Sequence, residues 1–222
     1  MASALTEEGV ASYGEALLRE VLGDGFDGEV FLAGGAFRTL LTRRAPRDLD
    51  LWTPDEDTRS SLTAFLLARG ATEERDHPPF QTMFRCGAHV IDVPYAVGPR
   101  RLVERLERFD LGLSAVGVTW RRGRVVEAVI DPCATRSTEG RAVLLLRPLR
   151  NVSYLLNTVE RARRYARELD FEWPAAEEAL LWDTFASLPT ARQQKVLSNY
   201  AWAGGHDARI IEQAREFRSA NG

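Results

Sequence analysis

Residues 30–51, VFLAGGAFRTLLTRRAPRDLDL, decide what kind of fold this chain can adopt. The stretch begins with a short apolar run that predicts a buried strand, and the glycine pair after it predicts a tight turn into a helix. At the other end, Asp48 and Asp50 alternate with leucines, which is typical of a strand with one face in a core. Because residues two apart on a strand share a face, both carboxylates should point to the same side.

Two neighbouring carboxylates repel each other unless a cation neutralises them, and hard oxygen ligands suit magnesium. Asp92, in the alternating run HVIDV, can supply a third carboxylate from a neighbouring strand. The alternative is that Asp48 and Asp50 are ordinary surface charges on a strand, and that Asp92 is an exposed edge-strand residue. The glycine turn just upstream favours the metal site over that alternative.

The glycine turn is a candidate phosphate site. Gly34 and Gly35 allow the backbone to approach a ligand closely at a predicted helix N-terminus, where the helix dipole favours anions. Arg38, one turn further along, can reach the same phosphates. Carboxylates, backbone N–H groups and a fixed cation are the parts that nucleotidyl transfer from a triphosphate requires, with two metal ions assisting.

The remaining pattern predicts a sheet followed by helices. Helices are expected at about 6–21, 34–41, 53–69 and 99–107, and strands at about 29–33, 48–52, 71–75, 81–86, 89–93, 111–120 and 125–130. From residue 151 onward the apolar spacing is helical, with breaks near Pro174, Pro189 and the pair Gly204 and Gly205. The fold class predicted is α+β: a mixed-sheet head over residues 1–148, with flanking helices, and a small all-helical extension over 149–222.

Further motifs give this pattern a family resemblance. The order GG, Arg38, LL and DLDL resembles the head of CCA-adding tRNA nucleotidyltransferases and bacterial poly(A) polymerases, in the DNA polymerase β nucleotidyltransferase superfamily. Residues 108–118, RFDLGLSAVGV, are similar to that family's RRDFTINALAY, and residues 131–132 match its Asp-Pro. Residues 160–171, ERARRYARELDF, look like its LRAARFAARLGF. The resemblance covers about residues 29–171, in the family's order.

The resemblance implies a role for each matching residue. Asp48 and Asp50 would bind magnesium, and Gly34, Gly35 and Arg38 would hold the triphosphate. Arg108 and Asp110 would lie near the nucleotide. Arg161 and Arg164 would close the phosphate side from a helical neck, although both could instead be solvated or paired with Glu160 and Glu168. The implied cofactor is Mg²⁺, with two ions expected, and the nucleoside triphosphate is the substrate.

Several positions depart from the family pattern and leave the acceptor open. The residue after Arg38 is Thr39, Ser114 replaces an asparagine, residues 155–158 read LLNT in place of DPLR, and no downstream EDxxR motif is found. The favoured reading is transfer of a nucleoside monophosphate from ATP or CTP to an RNA or tRNA 3′ end. The alternatives are a small-molecule or protein acceptor, as in antibiotic-modifying and toxin-type members, and a non-catalytic nucleotide- or RNA-binding module.

Composition and charge argue against several classes of partner and location. The net charge of −3 argues against an extensive nucleic-acid surface, and no DNA partner is expected. No apolar run approaches the roughly 20 residues that span a bilayer, and the acidic N-terminus lacks a secretory pattern, so we expect a cytoplasmic protein without a membrane partner. Cys86 and His89 lack the second half of a zinc site. The larger aromatic residues of the extension are expected in its core: Tyr165, Phe171, Trp173, Trp182, Phe185 and Trp202.

Overall fold

A computed structural model describes residues 5–205 and 207–220, with side chains described as far as residue 217. The first four residues of the N-terminal stretch considered above lie outside this part of the chain. The helices are α1 Glu7–Leu22, α2 Thr39–Thr42, α3 Glu56–Ala68, α4 Leu102–Leu106, α5 Pro132–Glu139, α6 Leu155–Leu169, α7 Ala175–Ser187, α8 Thr190–Trp202 and α9 Ala208–Ala220. The strands are β1 Val30–Ala33, β2 Leu49–Trp52, β3 Thr72–His77, β4 Gln81–Cys86, β5 His89–Pro94, β6 Val116–Arg121 and β7 Arg124–Ile130.

The seven strands form one sheet in the order β3-β4-β5-β2-β1-β6-β7. Strands β2 and β5 run parallel, and the other neighbouring pairs are antiparallel. All four residues of β1 are buried, as expected for a central strand, whereas β2 alternates buried leucines with half-buried Asp50 and Trp52. The mixed sheet and its flanking helices confirm the predicted fold class.

Helix α1 packs across the sheet through a row of buried apolar residues at helical spacing. Thr6 caps this helix by accepting a hydrogen bond from the Gly9 amide at 3.1 Å. Gly14 faces Val118 so closely that an added Cβ would lie 2.7 Å from a Val118 methyl carbon. The helix therefore lies directly on β6 and holds the central strands from one side.

The predicted strand at 111–120 is wrong in its first half. Residues Gly112–Ser114 form a 3₁₀ turn, and the strand begins only at Val116. The reason is tertiary packing: Gly112 lies against α5, where an added Cβ would be 2.7 Å from Cys133 Sγ. The hairpin after β6 is confirmed, because Arg122 and Gly123 both have the positive φ angles, 51° and 77°, that two-residue hairpin turns use.

The helices after residue 151 share a second core with part of the sheet domain. Buried residues of α6 to α9 pack with Leu111, Leu113, Val143 and Leu145. Helices α7 and α8 begin directly after Pro174 and Pro189, as predicted. One aromatic assignment is wrong: Trp202 is 44% exposed and lies outside this core. Within residues 5–205 and 207–220, no helix is both long and apolar enough to cross a membrane.

Candidate active site

The glycine turn at the end of β1 lies directly against the carboxylate of Asp50. Gly34 has φ +101°, a conformation that side-chain-bearing residues rarely adopt, and an added Cβ would be 3.3 Å from Asp50 Oδ2. The Gly34 amide donates a hydrogen bond to the Val116 carbonyl at 3.1 Å, so it is not available to an anion. Contact with a phosphate from this turn therefore falls to Gly35 and the residues after it.

The helix predicted after the glycine pair differs from the expectation. Residues Gly35–Arg38 form a 3₁₀ turn, and α2 adds only four residues. A helix this short has few aligned peptide dipoles, so the predicted dipole contribution to anion binding is small. Close backbone approach and Arg38 remain the features of this turn that suit a phosphate.

Replacing Gly34 with alanine should damage the site more than it damages the fold. We expect Gly34→Ala to lower the free energy of unfolding by about 1–2 kcal/mol because of the positive φ angle. The new methyl group would also displace the Asp50 carboxylate, and a misplacement of this kind costs about 10²-fold in turnover. Gly87→Ala is the matched control, because Gly87 has φ +58° and open space around it. The measurements are nucleotide transfer and thermal unfolding of both variants. Equal transfer activity in two equally stable variants would contradict the placement of Gly34 against Asp50.

Three aspartates lie on or directly beside the parallel strands β2 and β5. Asp50 and Asp92 are paired residues in the parallel register of the two strands, and Asp48 directly precedes β2. Gln81 donates a hydrogen bond to Asp92 Oδ2 at 2.7 Å, while Asp92 Oδ1 is buried and has no partner among the described residues. The sequence-based prediction that Asp92 lies beside Asp50 therefore agrees with the geometry.

Burial and mutual repulsion disfavour the charged forms of these carboxylates. Burial, followed by the charges of Asp48 and Asp92, raises the pKa of Asp50 to about 8, with Arg161 acting in the opposite direction. Burial and Asp48 raise the pKa of Asp92 to about 6, with the Gln81 hydrogen bond opposing. In the described part of the chain, no three acidic, histidine or cysteine side chains converge closely enough to enclose a metal. The raised pKa values and the unpartnered Asp92 oxygen nevertheless fit a site that a divalent cation would neutralise.

Stability should therefore depend on pH in a direction set by these carboxylates. Both carboxyl groups have folded-state pKa values above their unfolded values, so the folded protein favours their protonated forms. Their contribution to stability is complete below pH 4 and is lost as the pH rises through about 6 and then about 8. We expect Mg²⁺ to raise the melting temperature more at pH 8 than at pH 5, as measured by thermal unfolding. A Mg²⁺ effect that is equal at both pH values would count against this cluster as the binding site.

The predicted arginines approach the site from two elements and are held by acidic partners. Arg161 on α6 pairs with Asp110, and Thr158 donates a hydrogen bond to the same carboxylate oxygen. Arg38 donates to Glu168 at 2.6 Å and stacks 3.8 Å above the ring of Tyr165.

Arg164 Nε lies 3.8 Å from Glu168 Oε1. The ion pair with Glu168, given above as the alternative to phosphate binding by Arg164, is therefore present. The pairing considered for Arg161 with Glu160 is wrong, because Glu160 instead accepts a hydrogen bond from Tyr200. Arg161 and Arg38 still line the same cavity as the carboxylates.

Most of the predicted residues surround one polar cavity of about 240 Å³. We call this the carboxylate cavity, and it is lined by Gly34, Gly35, Arg38, Arg47, Asp48, Asp50, Phe109, Ser114, Arg161, Arg164 and Tyr165. A larger adjoining cavity of about 610 Å³ shares Asp50, Phe109 and Arg161 and is lined by two of the remaining three predicted residues, Arg108 and Asp110. Asp92 lines neither cavity and reaches the site through its pairing with Asp50.

Sequence reasoning missed several residues of these cavities. Arg47 and Phe109 each adjoin a predicted residue, so proximity to the motifs was the available signal. Tyr165 was assigned to the core, and it is 3% exposed, but its ring also supports Arg38. Arg105 is 4% exposed, stacks 4.1 Å above Trp52 in the larger cavity, and has a pKa lowered to about 10 by burial and by Arg108. No sequence motif indicated that it would face a cavity.

Comparison with known proteins identifies the fold. No protein-family model matches the sequence, and no curated protein matches it. The structure matches a tRNA-processing enzyme in an apo form with a TM-score of 0.61 and 19% identity, over 98% of this chain and 59% of the other. The chain has the tRNA nucleotidyltransferase fold. A tRNA nucleotidyltransferase complexed with a primer tRNA and an incoming ATP analogue gives a TM-score of 0.58 and 18% identity, over 92% of this chain and 59% of the other.

The match to the tRNA nucleotidyltransferase fold extends beyond the sheet. The Thermotoga maritima CCA-adding enzyme complexed with tRNA gives a TM-score of 0.55 and 17% identity, over 90% of this chain and 49% of that one. Coverage of this size includes the helices after residue 151, so the resemblance found in the sequence motifs is confirmed at the level of the fold. This chain spans between about half and three fifths of the length of these solved structures.

Proposed function

We infer that this protein is a magnesium-dependent nucleotidyltransferase that transfers a nucleoside monophosphate from ATP or CTP to a hydroxyl group. One observation carries the proposal: Asp50 and Asp92 are paired on adjacent strands, beside the glycine turn and beneath the arginines of α6. The tRNA nucleotidyltransferase fold supports it, and solved structures of that fold are described as complexes with CTP and with ATP.

The three aspartates at or beside the carboxylate cavity have one role in this proposal. Asp48, Asp50 and Asp92 would hold the magnesium ions, whose charge would lower the pKa of the attacking hydroxyl and offset the charge of the leaving pyrophosphate. The attacking oxygen forms a bond to the α-phosphorus, the bond from that phosphorus to the pyrophosphate oxygen breaks, and the hydroxyl proton is lost to solvent or to Asp92. A hydroxyl whose pKa is lowered by bound magnesium would need no dedicated general base.

The arginines would bind the triphosphate in fixed positions. Arg38 is immobilised between Glu168 and the Tyr165 ring, which orients its remaining N–H groups before substrate arrives. Arg164 lies on the same wall, and Arg161 is held by Asp110 next to Asp50. Arg108 and Asp110 would contact the nucleotide from the larger cavity.

We further propose that residues 1–148 form the catalytic head and residues 149–222 a neck-like extension of a cytoplasmic protein.

The acceptor we favour is an RNA 3′ end, since solved structures with this fold are described as complexes with a primer tRNA and with tRNA. A small-molecule acceptor is the second candidate, because the larger cavity of about 610 Å³ adjoins Asp50 and is rich in arginine. A catalytically inactive binding module is disfavoured because all three aspartates are present and the pKa of Asp50 is raised by burial and by its two acidic neighbours.

One experiment tests the reaction and the acceptor together. The protein is incubated with Mg²⁺ and each α-labelled triphosphate, in the presence of total tRNA or of a cell extract containing metabolites and proteins. We expect label in RNA with ATP or CTP, and loss of that label when Mg²⁺ is removed with a chelator. Label in a small product or a protein would replace the RNA acceptor, whereas bound nucleotide without any transfer would overturn the enzymatic proposal.

A further inference from the structure

An exposed aromatic cluster lies where the sheet meets the helices. We call it the aromatic rim, and it consists of Trp202 at the end of α8, His77 at the end of β3 and Phe80 just before β4. The Trp202 ring centroid lies 3.9 Å from that of Phe80 and 4.1 Å from that of His77. Trp202 is nevertheless 44% exposed, which is unusual for a tryptophan with two aromatic neighbours.

The exposed part of Trp202, 44% of the residue, is accessible to a ligand. The His77 and Phe80 rings are only 6.0 Å apart, which is too close for them to enclose Trp202 from opposite faces. A rigid, partly exposed indole supported by two other rings is a suitable platform for stacking a nucleobase.

The aromatic rim leads to the proposed catalytic groups along both of its elements. On the sheet side, Phe80 precedes Gln81, which donates its hydrogen bond to Asp92. On the helix side, residues 203–205 follow Trp202 and line a third cavity of about 470 Å³. This third cavity shares Arg47, Arg161 and Arg164 with the carboxylate cavity, so the two cavities adjoin, and Trp202 directly precedes the lining residue Ala203.

The third cavity has the chemistry to hold a nucleotide. Three arginines line it, whereas Glu160, its one acidic residue, already accepts a hydrogen bond from Tyr200. Asn157 also lines it, and its buried side-chain oxygen has no hydrogen-bond partner among the described residues. A buried amide oxygen without a partner is costly and is satisfied well by an N–H or O–H group of a ligand.

We propose that the aromatic rim and the third cavity together form the surface that binds the acceptor favoured above, the 3′ end of an RNA. The terminal nucleotide occupies the third cavity, where arginines bind its phosphate and Asn157 contacts its sugar or base. A base upstream of it stacks on Trp202. This assignment rests on the nucleotidyltransferase function proposed above, and it names the surface on which that function recognises its acceptor.

RNA binding without catalysis tests this acceptor surface. The affinity of a short 5′-fluorescein single-stranded RNA is measured by anisotropy, without triphosphate, for the unmodified protein and for Trp202→Ala, Trp202→Phe and Val126→Ala. We expect Trp202→Ala to weaken binding at least about fivefold, as loss of one stacked base does, and Trp202→Phe to weaken it less. Val126 is the control, because it is 45% exposed on β7, at the opposite edge of the sheet.

Abasic RNAs separate stacking from a structural role of Trp202. Each of the last four nucleotides is replaced in turn by an abasic site. We expect one position to weaken binding to the unmodified protein and to have no further effect on Trp202→Ala. The proposal would be overturned if Trp202→Ala bound RNA with unchanged affinity. It would also be overturned if the abasic site at that position still weakened RNA binding by Trp202→Ala.

The outcomes also distinguish this proposal from the function on which it rests. Absence of RNA binding by the unmodified protein would overturn both the acceptor surface and the RNA acceptor, while transfer of label to another acceptor would still support the chemistry. RNA binding that depends on Trp202 in a protein without transferase activity would support the acceptor surface and contradict the enzymatic function.

Discussion

Asp50→Asn is expected to lower nucleotide transfer by about 10²- to 10³-fold, the effect seen when a group that stabilises transition-state charge is lost. The free energy of unfolding at pH 7 should stay the same or increase. The reason is that burial and two neighbouring carboxylates disfavour the charged form of Asp50, whose pKa is raised to about 8. A loss of function together with a gain of stability is the signature of a site whose repulsion is relieved by its ligand.

The measurement combines transfer of labelled nucleotide with thermal unfolding in the absence of Mg²⁺. Asp183→Asn is the matched control. It makes the same chemical change at an exposed position on α7, away from the cavity. Asp48→Ala should likewise abolish transfer without unfolding the protein. Normal turnover in either variant would refute the assignment of these two aspartates to metal binding.

Arg161→Ala is expected to have the largest effect on stability, about 1–3 kcal/mol, because it leaves the buried Asp110 carboxylate without its charged partner, while the Arg161 side chain itself is 37% exposed. Asp110 is 8% exposed, and after the substitution Thr158 would be its one remaining side-chain partner among the described residues. Arg161 also offsets the repulsion around Asp50 and lines all three cavities. We therefore expect transfer to fall as well, by about 10²-fold, because the phosphate-binding wall loses its position.

Chemical denaturation with and without triphosphate checks this expectation. Arg167→Ala is a suitable control, since Arg167 is exposed on the same helix. Combining Arg161→Ala with Asp110→Asn should recover part of the lost stability, because the uncompensated charge is removed. If Arg161→Ala unfolds at the same denaturant concentration as Arg167→Ala, the ion pair is not a structural link between α6 and the sheet domain.

The sequence predicted the parts of this fold that short-range patterns control. The alternation of aspartate with leucine placed Asp50 and Asp92 on strands, the glycine pair marked the turn after β1, and the prolines marked the starts of α7 and α8. The 3₁₀ turn at Gly112–Ser114 could not be predicted, because it results from contact with α5, whose position is not encoded in the local pattern.

Pairings between distant segments were the other features that the sequence did not reveal. Glu168 holds Arg38 across 130 positions of the chain, and Asp110 holds Arg161 across 51. Trp202 looked like a core residue because its helix is amphipathic, yet the β3-β4 hairpin supports it at the surface. Side-chain partners of this kind depend on how the helices dock on the sheet, which a single sequence does not specify.

The parallel pairing of β2 with β5 has a consequence for how this chain tolerates insertions and deletions. Asp50 and Asp92 meet because two short strands keep one register, and a shift of a single residue in either strand would turn a leucine or valine toward the cavity. The turn between β3 and β4 and the turn between β4 and β5 lie between these aspartates in the chain, but they do not set that register. Residues can therefore be added to these turns without separating the two aspartates, whereas deleting one residue within β2 would both separate them and turn the buried Leu49 or Leu51 out of the core.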